Sequence, residues 1–273
     1  MQQARAGTGS IGGVTASLHA YRFGPRRPPQ ILALHGLTGH GLRWETLAAQ
    51  HLPEFSVLAP DLIGHGRSSW AAPWTLEANA EALAELLDAD ADGPVVVVAH
   101  SFGGAVALRL AADRPDLVAS LVLLDPAVGL DGAWTREIAD AMLASPDYPD
   151  RTEARDDKVN GSWGEVDAAE LDRDLDEHLI ALPNGRVGWR IGIPAMMSYW
   201  SELARPISLP SQGTPTTVVR AIRTQPPYVS EELVAALRTR LGADFTLVDL
   251  DCDHMVPHAR PAETAELVRS MVG

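Results

Sequence analysis

The sequence predicts an α/β fold in which a mostly parallel sheet is flanked by helices. Short apolar runs alternate along the chain with alanine- and leucine-rich runs of helical periodicity. This alternation is typical of a parallel sheet covered by helices. One run, VVVVAH at residues 95–100, is apolar almost without interruption, as expected of a strand buried on both faces. The alternation fails over one long segment only, residues 127–205.

Composition limits the classes of protein to consider. The 273 residues fit one α/β domain with an insertion, and 46% hydrophobic content suits a sizeable core. The formal net charge of -14 is expected to repel nucleic acid and anionic membrane surfaces, so neither is a predicted partner. The single cysteine, Cys252, excludes an intrachain disulfide. No run has the length of a signal peptide or membrane span, so a cytoplasmic location and no integral membrane association are expected.

The elements can be placed in chain order. Strands are predicted within residues 14–24, 30–36, 55–61, 95–101, 121–127, 216–222 and 245–251. Helices are predicted over residues 75–90, after Ser101, and over residues 230–242 and 261–273. Thr75 and Ser230 are predicted to cap their helices, because a hydroxyl at the first position accepts a hydrogen bond from an amide of the first turn.

Residues 127–205 are predicted to form a helical cap. This segment combines acidic helical runs with four tryptophans, which are Trp134, Trp163, Trp189 and Trp200. It is too long and too aromatic for a plain connection between a strand and the next. Residues 1–126 and 206–273 are therefore predicted to form the core, with the cap inserted between them.

Ser101 lies where a predicted strand changes directly into a helix. The strand ends at about Ala99, and the helical pattern of apolar residues begins after Gly103. Small residues on both sides permit a tight turn that lifts the serine hydroxyl above the sheet edge. The run AHSFGG resembles the nucleophile elbow G-x-S-x-G, with Ala99 in place of the first glycine.

Three further motifs join this elbow in a recognisable order. They are LALHGLTGH, PDLIGHGRS and DCDHMVP. Together the four resemble the elbow, the oxyanion loop, the loop after the next strand and the histidine loop of the α/β-hydrolase fold. The resemblance covers essentially the whole chain and implies a cap inserted after the sixth strand. Runs such as LDEHLIALPNGRVGWR are also similar to a mycobacterial and actinobacterial subgroup of lipases and esterases.

The resemblance implies a catalytic serine, and a serine needs a base to become a nucleophile. Ser101 is the predicted nucleophile. Three histidines follow its helix, and the base follows the nucleophile in this fold. His178 is expected on a solvated cap helix and His258 is expected to be exposed near the last helix. His254 lies in the loop after the last strand, where the family places its base, and is the predicted base.

The third member of the predicted triad is Asp125. Many relatives carry the acid after the strand at residues 216–222, but no carboxylate follows there before Glu231. Asp125, at the end of the preceding strand, is the remaining candidate at the catalytic edge. An aspartate before proline is alternatively a turn former. Asp253, next to the predicted base, is the rival candidate.

No metal site or cofactor is predicted. Asp249, Asp251 and Asp253 have the spacing of a calcium loop. However, His254 occupies the position of the sharp-turn glycine, and Arg260 occupies that of the bidentate glutamate. The oxyanion hole is instead expected from two backbone N–H groups, those of Leu37 and Phe102, as in the family.

The resemblance implies a serine carboxylesterase or lipase that acts through an acyl-enzyme, and a compact cap rich in aromatic residues predicts apolar esters of short to medium chain length. The expected partner is a small-molecule ester, and the sequence indicates no oligomeric state. The candidate pocket residues are Trp134, Trp163, Met196 and Trp200, each of which alternatively holds the cap on the core. Two other functions remain open: a serine hydrolase for C–C bonds of diketones or for lactones, and a non-catalytic ligand-binding protein of this fold.

Overall fold

A seven-stranded sheet forms the centre of the computed structural model, which describes residues 7–11 and 14–272. The strands are β1 (Gly7–Ile11), β2 (Val14–Leu18), β3 (Ala20–Phe23), β4 (Ile31–Leu34), β5 (Val57–Pro60), β6 (Val95–His100), β7 (Val118–Leu124), β8 (Leu179–Ala181), β9 (Val187–Trp189), β10 (Thr216–Ala221) and β11 (Phe245–Leu250). The sheet order is β11-β10-β7-β6-β4-β5-β3. Only β3 runs antiparallel to its neighbour, so the predicted mostly parallel sheet is confirmed.

Helices cover both faces of this sheet. They are α1 (Leu76–Asp90), α2 (Phe102–Asp113), α3 (Gly132–Ala144), α4 (Arg151–Asn160), α5 (Ala168–His178), α6 (Ile193–Leu203), α7 (Glu231–Leu241), α8 (Val256–Ala259) and α9 (Pro261–Met271). The Thr75 and Ser230 hydroxyls accept from the amides of Ala78 and Leu233, each at 3.1 Å, which confirms both predicted caps. Within the described residues, every helix is too short or too polar to cross a bilayer.

The apolar runs of the strands divide their side chains between the two faces. In β4, Leu32 and Leu34 join the hydrophobic cluster under α1 and α2, whereas Ile31 and Ala33 join the cluster on the α9 side. Strands covered on both faces need apolar residues at every position. This requirement explains the unbroken apolar run of β6, which is buried along its whole length.

The first strand of the central sheet is shorter than the sequence predicts. The run at residues 14–24 divides at His19, where β2 ends and pairs only with β1 in a separate antiparallel hairpin. At the break, the His19 amide donates to the Ser68 hydroxyl at 2.8 Å and its carbonyl accepts from Asp61 at 2.8 Å. These bonds replace a continuous ladder, so only β3 joins the sheet.

The segment predicted as a cap, residues 127–205, contains α3 to α6 together with the antiparallel hairpin of β8 and β9. It is therefore not purely helical. The Leu130 amide donates to the Leu203 carbonyl at 2.9 Å, which joins the two ends of the segment. Since the segment leaves after β7 and this bond joins its two ends, both ends lie beside the loops that follow the sheet strands.

Candidate active site

Three loops at one edge of the sheet bring Ser101, His254 and Asp125 into a single hydrogen-bonded relay. They follow β6, β11 and β7, and parallel strands end at the same edge. His254 Nε2 lies 2.9 Å from Ser101 Oγ, and its Nδ1 lies 2.6 Å from Asp125 Oδ2. With the proton on Nδ1, the imidazole donates to the carboxylate and accepts from the serine hydroxyl. A histidine placed in this way acts as a base toward the serine.

Backbone strain is concentrated around this relay. Among the described residues other than glycine, positive φ angles occur at Thr38 (61°), Ser101 (53°) and Asp125 (44°). Such angles are costly for residues with a Cβ and persist only where surrounding contacts hold them. Ser101 is held by its amide, which donates to the Leu124 carbonyl, and by its carbonyl, which accepts from Ala127, both at 3.1 Å. These two hydrogen bonds therefore hold the tight turn between β6 and α2.

Two glycines allow the loops to approach this closely. A Cβ at Gly103 would lie 2.6 Å from the Leu34 carbonyl oxygen, and one at Gly36 would lie 2.9 Å from His100 Nδ1. Both distances are shorter than atoms tolerate, so any larger residue would push the elbow away from the loop after β4. The glycines thus set the short separation between the serine and that loop.

The Asp125 carboxylate is buried, and both of its oxygens have donors. Oδ1 accepts from the Ala221 amide at 3.2 Å, while Oδ2 faces His254. The rival, Asp253, accepts from the His254 amide at 2.7 Å and from the Thr224 hydroxyl at 3.2 Å. Asp253 therefore orders the histidine loop through its backbone, whereas Asp125 contacts the imidazole itself.

The other two aspartates of the apparent calcium loop form ion pairs. Asp249 accepts from Arg220 Nε at 2.8 Å, and Asp251 accepts from Arg223 Nε at 2.7 Å. These arginines follow β10 or belong to it, beside β11. The spacing of Asp249 and Asp251 thus reflects alternate positions at the end of the edge strand β11, where both side chains pair with arginines of the neighbouring strand or its loop.

Two aromatic side chains support His254. His100 Nε2 lies 2.7 Å from the His254 carbonyl oxygen, and burial, followed by the nearby His254, holds the pKa of His100 well below its usual value. A neutral His100 therefore donates to that carbonyl. The Tyr228 ring stacks on the His254 ring with 4.2 Å between centroids, and Trp134 packs against Tyr228 at 5.2 Å. These contacts fix the imidazole plane.

The two predicted oxyanion donors are the backbone amides of Leu37 and Phe102. In the ranges that the structure describes, neither the Leu37 nor the Phe102 amide donates to a backbone or side-chain oxygen. Phe102 begins α2, so its N–H lies at the positive end of the helix dipole. The loop of Leu37 is held by His35, whose Nε2 accepts from the Leu62 amide at 3.0 Å and whose Nδ1 lies 2.8 Å from the Gly36 carbonyl oxygen.

A second buried polar cluster joins the segment 127–205 to the core. Asp174 of α5, with a side chain only 3% exposed, lies 2.9 Å from His40 Nε2, 2.6 Å from Arg43 Nε and 2.7 Å from Lys158 Nζ. Burial raises the pKa of Asp174, but Arg43 and Lys158 together lower it well below its usual value. Lys158, the only lysine of the chain, also contacts the Trp163 ring, with Nζ 4.2 Å from its centroid. We refer to Asp174, His40, Arg43 and Lys158 as the Asp174 cluster.

Two expectations for histidines are wrong. His178 is 1% exposed and stacks on Trp189, rather than facing solvent from a cap helix. His258 stacks on Trp163 at 5.2 Å, and burial lowers its pKa to about 3. Both predictions assumed that polar helices face water, whereas Trp189 and Trp163 of residues 127–205 cover these rings.

The four candidate pocket residues are divided between two packing environments. Trp163 lies beside the Asp174 cluster, whereas Met196 and Trp200 are buried in the large hydrophobic cluster under α1 and α2. Trp134 is partly buried and reaches the relay through Tyr228. Packing of the segment 127–205 on the core accounts for the positions of Trp163, Met196 and Trp200.

The sequence reasoning did not identify Tyr228 or the Asp174 cluster. Tyr228 gives no periodic signal, because it lies in the loop before α7. Asp174 does have a signal: with Leu171, Leu175 and His178 it lies on the buried stripe of α5 at helical spacing. The stripe therefore predicts that the Asp174 carboxylate faces the core.

Comparison with known proteins agrees with this arrangement. Residues 31–267 match the profile of the alpha/beta hydrolase family, and the chain therefore belongs to that family. It is 64% identical to lipase LipV of Mycobacterium tuberculosis over 256 residues, which cover 94% of this chain and 98% of the lipase. It is also 40% identical to esterase Rv0045c of the same organism, over 40% of this chain and 36% of that esterase.

Solved structures show the same fold. The crystal structure of E-2-(acetamidomethylene)succinate hydrolase is similar with a TM-score of 0.80 and 22% identity, over 99% of both chains. A structure of the M. tuberculosis esterase Rv0045c is similar with a TM-score of 0.71 and 25% identity, over 100% of this chain and 93% of the esterase. These similarities confirm the α/β-hydrolase fold predicted from the four motifs.

Proposed function

We propose that this protein is a serine carboxylesterase that hydrolyses apolar esters of short to medium chain length. The observation that carries the proposal is the relay from Ser101 through His254 to Asp125, with its two hydrogen bonds of 2.9 and 2.6 Å. The 64% identity to a lipase over nearly the whole chain supports the same class of reaction.

The relay suits acyl transfer in two half-reactions. Ser101 Oγ attacks the ester carbonyl carbon while His254 Nε2 takes the hydroxyl proton, and the Leu37 and Phe102 amides hold the oxyanion. The bond to the alkoxy oxygen then breaks, and His254 returns its proton to the departing alcohol. Water attacks the acyl-enzyme in the same manner, which releases the carboxylic acid and restores Ser101. Asp125 orients the imidazole and stabilises its charged form.

The proposed acyl preference follows from the surroundings of the histidine. Tyr228 stacks on the His254 ring, and Trp134 of the proposed cap packs against Tyr228, so aromatic surface lies beside the histidine. Apolar walls with a few polar groups are typical of small-molecule sites. No cofactor takes part in the proposed reaction, because serine, histidine and backbone amides supply all of its proton transfers and charge stabilisation.

A substrate panel tests this proposal. We expect turnover of p-nitrophenyl acetate to octanoate, with little activity on emulsified long-chain triglyceride, because a compact cap limits the acyl chain. Ser101→Ala should abolish turnover without loss of folded structure. Preferential cleavage of a diketone or a lactone would assign a different serine hydrolase reaction. A folded wild type that binds these compounds without turnover would indicate a binding protein.

A further inference from the structure

Arg43 connects the cap segment to the loop that carries one proposed oxyanion donor. Its Nη2 donates to the Thr38 carbonyl at 3.1 Å, while its Nε donates to Asp174 Oδ1 at 2.6 Å. Asp174 belongs to α5, and Thr38 directly follows Leu37. One guanidinium group therefore spans from the cap helix to the oxyanion loop.

The residue that Arg43 holds is one of the strained positions. Thr38 has a φ of 61°, which is a true outlier for a β-branched residue. The Thr38–Gly39 peptide carries the carbonyl that Arg43 contacts, and its Gly39 N–H donates at 2.9 Å to the Gly36 carbonyl, which shares a peptide with the Leu37 N–H. The orientation of the Leu37 amide therefore depends on contacts that keep Thr38 in this conformation.

Arg43 is itself fixed by its surroundings. Its side chain is 7% exposed, and its guanidinium carbon lies 4.9 Å from the Trp163 ring centroid. Arg43 Nη2 also donates to Asp174 Oδ2 at 3.3 Å, so two hydrogen bonds to Asp174 fix the plane of the guanidinium group. A planar group that is hydrogen-bonded at two edges has fewer orientations than a single charge, so it fixes the position of the carbonyl that it contacts.

We propose that Arg43, oriented by Asp174, is a positioning residue for the oxyanion hole, so that docking of the cap segment completes the catalytic site. This inference rests on the proposed function. It predicts that the loss of Arg43 lowers transition-state stabilisation and leaves ground-state ester binding nearly unchanged. An ion pair that only docks the cap would instead change stability, or substrate binding, without a selective loss of kcat.

Arg43→Ala with added guanidinium tests the proposal. Removal of one oxyanion donor costs about 10²–10³ in kcat, so a misplaced donor should cost at least about tenfold. KM for p-nitrophenyl acetate should stay within about twofold, as expected when only a transition-state interaction is lost. A cavity of about 250 Å³ is lined by Arg43, so guanidinium ions at non-denaturing concentration should enter and restore part of kcat.

Arg173→Ala is the matched control. Arg173 lies on α5 next to Asp174, lines the same cavity as Arg43 and is 50% exposed, but its hydrogen bonds are to Glu170 and Thr46 rather than to the oxyanion loop. Its kcat should be unchanged, with no response to guanidinium. Should Arg43→Ala fail to fold, Arg43→Lys, which keeps a charge beside Asp174, carries the same test because lysine lacks the planar fork.

The outcomes separate this proposal from the proposed function. Wild-type turnover that Ser101→Ala abolishes establishes the esterase independently of Arg43. A folded Arg43 variant with normal kcat, with a loss confined to KM, or with a loss matched by Arg173→Ala would overturn the positioning role while leaving the esterase intact.

Discussion

The Ser101 relay and the Asp174 cluster are built on similar chemistry but in different ways. In each, a buried aspartate is hydrogen-bonded to nitrogen atoms of neighbouring side chains. The relay is assembled by three loops at the edge of one sheet, so the order of strands determines which residues meet. The Asp174 cluster joins α4 and α5 to the turn at Gly41–Trp44, so it depends on how the cap segment docks.

The two clusters also differ in charge. The relay contains one carboxylate, one imidazole and one hydroxyl, whereas the Asp174 cluster places Arg43 and Lys158 beside a single carboxylate. Burial lowers the pKa of Lys158 to about 8, although Asp174 raises it. Substitutions in the relay are therefore expected to change turnover, whereas loss of the Asp174 carboxylate, which leaves two buried cations unpaired, is expected to lower stability.

The largest difference is expected for Asp125→Asn. The amide keeps the bond from Ala221 but offers an N–H to His254 Nδ1, which imposes the wrong tautomer and leaves the imidazolium unstabilised. Turnover of p-nitrophenyl acetate should fall by about 10⁴, the loss seen for the corresponding change in a serine protease. Asp253→Asn is the control and should lose far less. Loss of turnover in Asp253→Asn together with near-normal turnover in Asp125→Asn would show that Asp253, and not Asp125, is the acid.

A smaller effect, on stability, is expected for Asp174→Asn. Removing one partner of a buried ion pair leaves uncompensated charge, here on Arg43 and Lys158, and costs about 3 kcal/mol of unfolding free energy. Denaturant unfolding measures this loss. In Asp172→Asn, two residues earlier, the side chain is 54% exposed and the change should stay below about 1 kcal/mol. Equal losses in the two variants would mean that the Asp174 cluster does not hold the cap segment.

The smallest effect is expected for His178→Phe, and it depends on pH. Burial, followed by the nearby His40, holds the pKa of His178 well below 6.5, and neither ring nitrogen has a partner within the described residues. Below pH 6.5 the unfolded chain binds a proton that the folded chain does not, so stability falls as the pH drops. Phenylalanine removes this loss.

The free energy of unfolding of His178→Phe, relative to that of the wild type, should therefore rise by about 2 kcal/mol as the pH falls from 7.5 to 5, as each pKa unit corresponds to about 1.4 kcal/mol. Denaturant unfolding at the two pH values measures the difference. An advantage that stays constant with pH would show that the His178 ring takes up a proton in the folded protein.

The relay could be predicted from sequence because each of its residues lies in the loop that follows a strand of the same sheet. Ser101 is identified by the abrupt change from an apolar run to a helical pattern, and His254 by its place after the last strand. The prediction of Asp125 depended on an absence, since no carboxylate follows β10 before Glu231. Chain order and the family resemblance together are enough for these positions, because parallel strands end at a common edge.

The Asp174 cluster could not be predicted in the same way. Its members lie on the turn after β4 and on two cap helices, and local sequence does not specify how these surfaces meet. The apolar stripe of α5 shows which face is buried but not what it packs against. Lys158 and Trp163 lie near each other in sequence, yet the packing of Arg43 on the Trp163 ring becomes evident only in the folded structure.

The nucleophile is the central claim, and labelling with a fluorophosphonate probe tests it most directly. The probe forms a covalent bond with an activated serine Oγ, and mass spectrometry of the digested protein locates the adduct. We expect a single adduct on the peptide that contains Ser101, and none in folded Ser101→Ala protein. Absence of labelling in the wild type, or labelling that persists in Ser101→Ala, would contradict the assignment of Ser101 as the nucleophile.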